Sequence, residues 1–167
     1  MWFGIGYHPS GRWETMTIGT TTPTRNTAGT VARIGLTLIG SAMMVVGAFM
    51  HWVRGLIGTN LTWKSFYSTD LGRAQSFVES IGFIFIVLAL LGIVGLAAWT
   101  GGLSRLAGAL GVVGFVLFAI QVFRASGQNL TGLDTRIEIG AWLALAGSVV
   151  VVIAGFLSTP ASVVYET

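Results

Sequence analysis

Cysteine is absent from the 167 residues, which excludes disulfides, thiolate catalysis, iron–sulfur clusters and Cys-ligated zinc together. Histidine occurs twice, at His8 and His51, too seldom for an imidazole metal site, and no metal or cofactor is expected. Charged residues make up 9% of the chain, against roughly a quarter in an ordinary soluble domain. With 53% apolar residues and a mean hydropathy of +0.80, the chain cannot clothe a soluble monomer in charge. Its abundant aliphatic and aromatic residues also argue against disorder. The net charge is +3, but the Lys and Arg residues are scattered singly. A nucleic-acid surface needs a clustered basic patch, so that class is set aside. Proline is limited to Pro9, Pro23 and Pro160, outside every long apolar run.

Four segments are long enough to cross a bilayer: 34–53, 81–99, 106–123 and 139–157. About 20 apolar residues at 1.5 Å rise cover a hydrocarbon layer of ~30 Å. No charged residue falls inside them, as expected where a central charge is costly. Arg33 and Arg54 bracket the first span, Arg105 and Arg124 the third, while Glu79 and Glu138 precede the second and fourth. The expected fold is therefore all-α: a polytopic membrane protein of four transmembrane helices, with an N-terminal tail (1–33) and a C-terminal tail (158–167). Four spans place both termini on one side. The cytoplasmic side is chosen because Arg25, Arg33 and Arg105 flank spans with no acids nearby. No cleaved signal is expected, since the first apolar run begins only at Ile34 and is of spanning length. Met16 opens a Thr-rich polar stretch; what precedes it reads either as native tail or as an upstream start.

The chain repeats itself. Arg33, a span, Arg54 and Asn60-Leu61-Thr62 are followed by Arg105, a span, Arg124 and Asn129-Leu130-Thr131. Ser76-Phe77-Val78-Glu79 then opens the second span as Thr135-Arg136-Ile137-Glu138 opens the fourth. Both have the S/T-x-x-E form of a capping box, in which hydroxyl and carboxylate satisfy the first free N–H groups of a helix. The spans thus read as two tandem helical hairpins. Glu79 and Glu138 are read with Ser76 and Thr135 as helix caps rather than ion ligands. The Asn-Leu-Thr triplets are read as turns rather than glycosylation sites.

Small residues recur along the spans: Gly108, Gly111 and Gly114 in the third, and Gly140, Ala144 and Ser148 at intervals of four in the fourth. In lipid, close backbone approach at small residues holds helices together, so these positions serve packing within the bundle, a partner seam, or both. His51 beside Trp52 reads as an interfacial pair rather than a haem or quinone ligand. Gln121 is the other strongly polar group inside a span, suited to a bond across helices. With no ionisable group or proline inside a span, an autonomous ion-coupled transporter is disfavoured. Asp70 and Glu79 are too few for hydrolase or transferase chemistry, and no enzyme is expected. The loop after the first span carries Trp63, Phe66 and Tyr67 among isolated charges, which suits a docking surface. Trp2, Phe3, Tyr7 and Trp13 are candidate anchors for the tail.

The first span ends Phe49-Met50-His51-Trp52-Val53, and the last begins Gly140-Ala141-Trp142-Leu143-Ala144-Leu145-Ala146-Gly147. Together with the Arg-flanked spans, these resemble small four-span membrane proteins of actinobacteria. The resemblance covers 33–157 and implies a bacterial cytoplasmic membrane and a role as accessory subunit of a respiratory or lipid-transport complex. It carries over no functional residue. The expected function is a non-catalytic accessory or scaffolding subunit, with the lipid bilayer and other integral membrane subunits as partners and no nucleic acid. The alternative is a small permeation or lipid-handling protein acting as a homo-oligomer.

Overall fold

A computed structural model describes residues 27–53, 55–69, 71–97, 101–127 and 136–157. Four long helices dominate these residues: α1 (Thr27–Phe49), α2 (Ile81–Ala97), α3 (Gly101–Ala125) and α4 (Ile139–Phe156). Each packs against the next and α4 closes the ring on α1, the α1–α4 face being the most extensive. Neighbours are antiparallel. Gly40 of α1 lies against Gly147 of α4, and Gly47 against Gly140.

Helices α1, α3 and α4 are long and apolar enough to cross a membrane, and α2, also apolar, is shorter at 17 residues. The helix bounds differ from the expected spans in an instructive way. α1 begins at Thr27, ahead of the expected 34. Arg33 is thus inside the helix. At the other end α1 stops at Phe49, and the expected last residues of that span, His51–Val53, form strand β1 instead. α3 likewise runs past 106–123 at both ends.

The mostly helical fold carries one short sheet, in which β1 pairs antiparallel with β2 (Leu56–Ile57) in a two-stranded ladder. Between the strands Gly55 has φ +73°, the left-handed conformation that a residue without a Cβ adopts at no steric cost. The rest of the 51–80 loop is neither helix nor tail. Three short 3₁₀ turns, Gly58–Asn60, Trp63–Phe66 and Phe77–Glu79, alternate with isolated bridges. Backbone N–H groups of Thr62, Ala74 and Ile81 donate to the carbonyls of Gly72, Asn60 and Leu61 at 3.1, 2.8 and 2.8 Å. The segment before α4 joins this structure: Val53 bridges Ile137, and Glu138 N–H donates to Trp52 O at 2.8 Å. Two loops distant in sequence thereby form one cap over one end of the bundle, joined by backbone hydrogen bonds.

Candidate functional site: a knitted cap and two kinds of helix seam

Trp52 holds the cap to the bundle. Strand alternation turns His51 outward and Trp52 inward. Trp52 is fully buried, its Nε1 donates to Gly47 O at 2.8 Å, and its ring meets Phe85 and Phe118 edge-on at 5.1 and 5.2 Å. The expected interfacial His–Trp pair is therefore split: only His51 is exposed. Burial of so large a ring requires room, which Gly58 provides. A Cβ there would stand 2.7 Å from Trp52 Nε1 and 2.6 Å from Ala48 O. Gly82 does the same for the start of α2, where a Cβ would stand 2.7 Å from Thr59 N.

Of the aromatic loop residues expected to dock a partner, Trp63 and Tyr67 are exposed and meet edge-on at 5.5 Å. Phe66 is turned inward instead: its ring lies 3.7 Å from where a Gly114 Cβ would be, and its carbonyl accepts from Gln121 Nε2 at 3.4 Å. Thr62 opens the Trp63–Phe66 turn, its Oγ1 accepting from Lys64 N at 3.5 Å. The first Asn-Leu-Thr triplet therefore belongs to the folded cap, with Leu61 fully buried. Asn129-Leu130-Thr131 lies outside the described residues, as do Thr135 and the tail residues Trp2, Phe3, Tyr7 and Trp13.

The first capping box is not formed as expected. Ser76 stands before a 3₁₀ turn and makes no side-chain cap bond. The hydroxyl that caps α2 belongs to Ser80, which accepts from Phe83 N at 3.1 Å and donates to Phe77 O at 2.6 Å. The chain takes an extra turn between the predicted cap and the helix, which moves the capping position by four residues. Glu79 is exposed. Glu138 is the N-cap residue of α4 but makes no side-chain bond to that helix. Its Oε1 accepts from Gly55 N at 2.8 Å, so the carboxylate clasps the β1–β2 turn.

The small residues are occupied inside the bundle. A Cβ on Gly108 would stand 2.6 Å from Ser148 O, and one on Gly111 would collide with the Ser148 side chain. Gly140 faces His51 O at 2.6 Å by the same measure, and Ala144 meets Gly47. Gly114 differs, having only ordinary contacts at 3.7 Å. The closest approach to a backbone atom escaped sequence reasoning. Gly40 and Gly147 face each other's carbonyls, at 2.7 and 2.5 Å from the Cβ positions they lack. The signal was present: Gly40 and Gly47 in one helix match Gly140 and Gly147 in the other, seven residues apart in each.

At the end of the bundle away from the cap, Arg33 is buried and its Nη2 donates to Gly95 O at 3.3 Å, near the end of α2. Arg105 Nε donates to Gly155 O at 2.9 Å near the end of α4, with its guanidinium 4.3 Å from the Phe156 ring centroid. Both cations meet the negative ends of helix dipoles. Among the described residues no group of three or more His, Cys, Asp or Glu is gathered as a metal would need. No protein-family model matches the chain, and neither a curated protein nor a solved structure is similar to it.

Proposed function

We propose that this chain is a four-span protein of a bacterial cytoplasmic membrane, with both termini cytoplasmic, that serves as a non-catalytic accessory or scaffolding subunit of a larger membrane complex. The observation that carries this reading is the cap. Long-range backbone bonds, the buried Trp52 and the Glu138 clasp give one end of the bundle a fixed shape, presenting His51, Arg73, Glu79 and Arg136 outward. A preformed surface of this kind suits binding, because little ordering entropy remains to oppose association. The small residues, for their part, are engaged in packing inside the bundle, which favours a scaffold over a pore lined by glycine. The tandem-hairpin reading is supported by the two arginines, each of which opens a hairpin and bonds a carbonyl near the end of that hairpin's second helix.

Purification of tagged protein from its host in mild detergent, with size analysis and mass spectrometry, tests the assignment. Stoichiometric membrane proteins that co-purify with the wild type and are lost when Glu138→Ala loosens the cap are the expected result. A lone monomer or a symmetric homo-oligomer would overturn the reading and favour permeation or lipid handling, measured as flux in vesicles.

A further inference from the structure

We propose that Trp63, Tyr67 and Phe77 form a rim of the cap seated in the phospholipid headgroup layer; this rests on the four-span reading. The argument is one of depth. The turn Trp63–Phe66 does not stand above the bundle. Phe66 is fixed against α3 between Gly114 and Gln121, which at 1.5 Å per residue is about 6 to 16 Å below the end of that helix at Ala125. Other aromatic contacts mark the same zone. Phe77 meets Phe83, the third residue of α2, edge-on at 5.5 Å, and Trp142, the fourth residue of α4, lies 5.2 Å from Phe115.

The surface changes character at this level. Exposed apolar residues climb α3 through Val116 and Leu117 to Ile120, and beyond them Arg124 is exposed. Trp63 and Tyr67 are 45% and 58% exposed at that boundary, with the exposed Lys64 between them. Amphipathic rings are most stable where hydrocarbon gives way to headgroups, and a lysine there extends its ammonium toward phosphate. Exposed apolar residues of α3 reach the level at which Phe66 holds the turn, so the occupant argued for is lipid rather than a protein partner. Docking through the upper, charged face of the cap stays available.

The absence of cysteine makes the test direct. The full chain carrying Tyr67→Cys or Leu90→Cys is spin-labelled and reconstituted in phosphatidylcholine vesicles, and accessibility to oxygen and to a water-soluble nickel chelate is compared. The Leu90 label, at an exposed site midway along α2, is expected in hydrocarbon and the Tyr67 label at headgroup depth. In parallel, the emission lost on Trp63→Phe is expected to be quenched by headgroup-labelled lipid and hardly at all by mid-chain brominated lipid. A Tyr67 label in bulk water, or Trp63 emission quenched by iodide but not by lipid, overturns the rim while leaving the spans intact. Trp63 shielded from both quenchers also overturns it, in favour of a protein cover. A water-exposed Leu90 label overturns the four-span reading itself.

Discussion

The two halves of the bundle are filled by side chains of different size. Near the cap the interior is filled with large groups: Trp52, Phe85, Phe118 and Met44 are fully buried, with Phe115 and Leu88 close behind. Toward the far end the buried set becomes small or polar, with Thr37, Ser41, Ser104, Ala107, Ser148 and Ala154 beside Gly40, Gly92, Gly95, Gly147 and Gly155. One half gains dispersion contacts from interlocked rings. The other gains them by removing side chains, so that backbone meets backbone. Three of these buried hydroxyls bond within their own or a neighbouring helix, while Ser41 Oγ finds no partner. Thr37 donates to Arg33 O at 2.9 Å, Ser148 to Ala144 O at 2.8 Å, and Ser104 across to Gly92 O at 3.3 Å. In that half the small and polar residues coincide with close helix packing.

If the contrast is real, the halves should fail differently. The largest effect is expected at the filled end. Trp52→Ala should cost about 4 kcal/mol, the range for deleting a large buried ring, read by denaturant unfolding in mixed micelles. It should also strip hydrogen-exchange protection from the amides of Thr62 and Ile81, and retained protection would show that the cap holds without its anchor. At the emptied end the damaging change is addition. Gly40→Leu should cost about 3 kcal/mol, the upper range for overpacking, with loss of compactness on size-exclusion chromatography. An unchanged elution and midpoint would mean that α1 and α4 are not in backbone contact.

Smaller effects sharpen the same comparison. Ser80→Ala should cost about 1 kcal/mol as a lost N-cap, whereas Ser76→Ala should stay within about 0.5 kcal/mol, as for an exposed position away from special contacts; equal costs for the two would restore the cap predicted at Ser76. Gly114→Ala is expected to reverse the sign seen at Gly40. It has room for a methyl group at 3.7 Å from its neighbours, so helix propensity should raise stability by up to about 1 kcal/mol. A clear loss there would place α3 nearer the cap turn than the structure does.

Much of the helical organisation was legible because it depends on short-range terms. Apolar runs, with arginines outside them, locate helices within a few residues, and Gly140, Ala144 and Ser148 advertise a packing face at helical spacing. The loop was less legible. Its fold depends on partners far along the chain, such as Ile137 for Val53 and Gln121 for the Phe66 carbonyl, and no local pattern encodes those pairings. Trp52 illustrates the limit. Beside His51 and at the edge of an apolar run, it has every local mark of an interfacial residue. Its burial is decided by Gly58, Phe85 and Phe118. Ser76 misled for a related reason: a sound capping pattern was present, but a 3₁₀ turn fits between it and α2.

By itself, then, the sequence determined that this chain is built from long apolar helices, with little charge, no cysteine chemistry and small residues at the helix faces. Those properties follow from side-chain transfer energies and helical periodicity, which act residue by residue. Only the tertiary structure decided which glycines meet, that Arg33 and Arg105 bond carbonyls near the ends of neighbouring helices, and that two separate loops join into one cap. Those outcomes depend on which surfaces the closed ring of helices brings within a few ångströms of each other, and a linear pattern does not contain that distance.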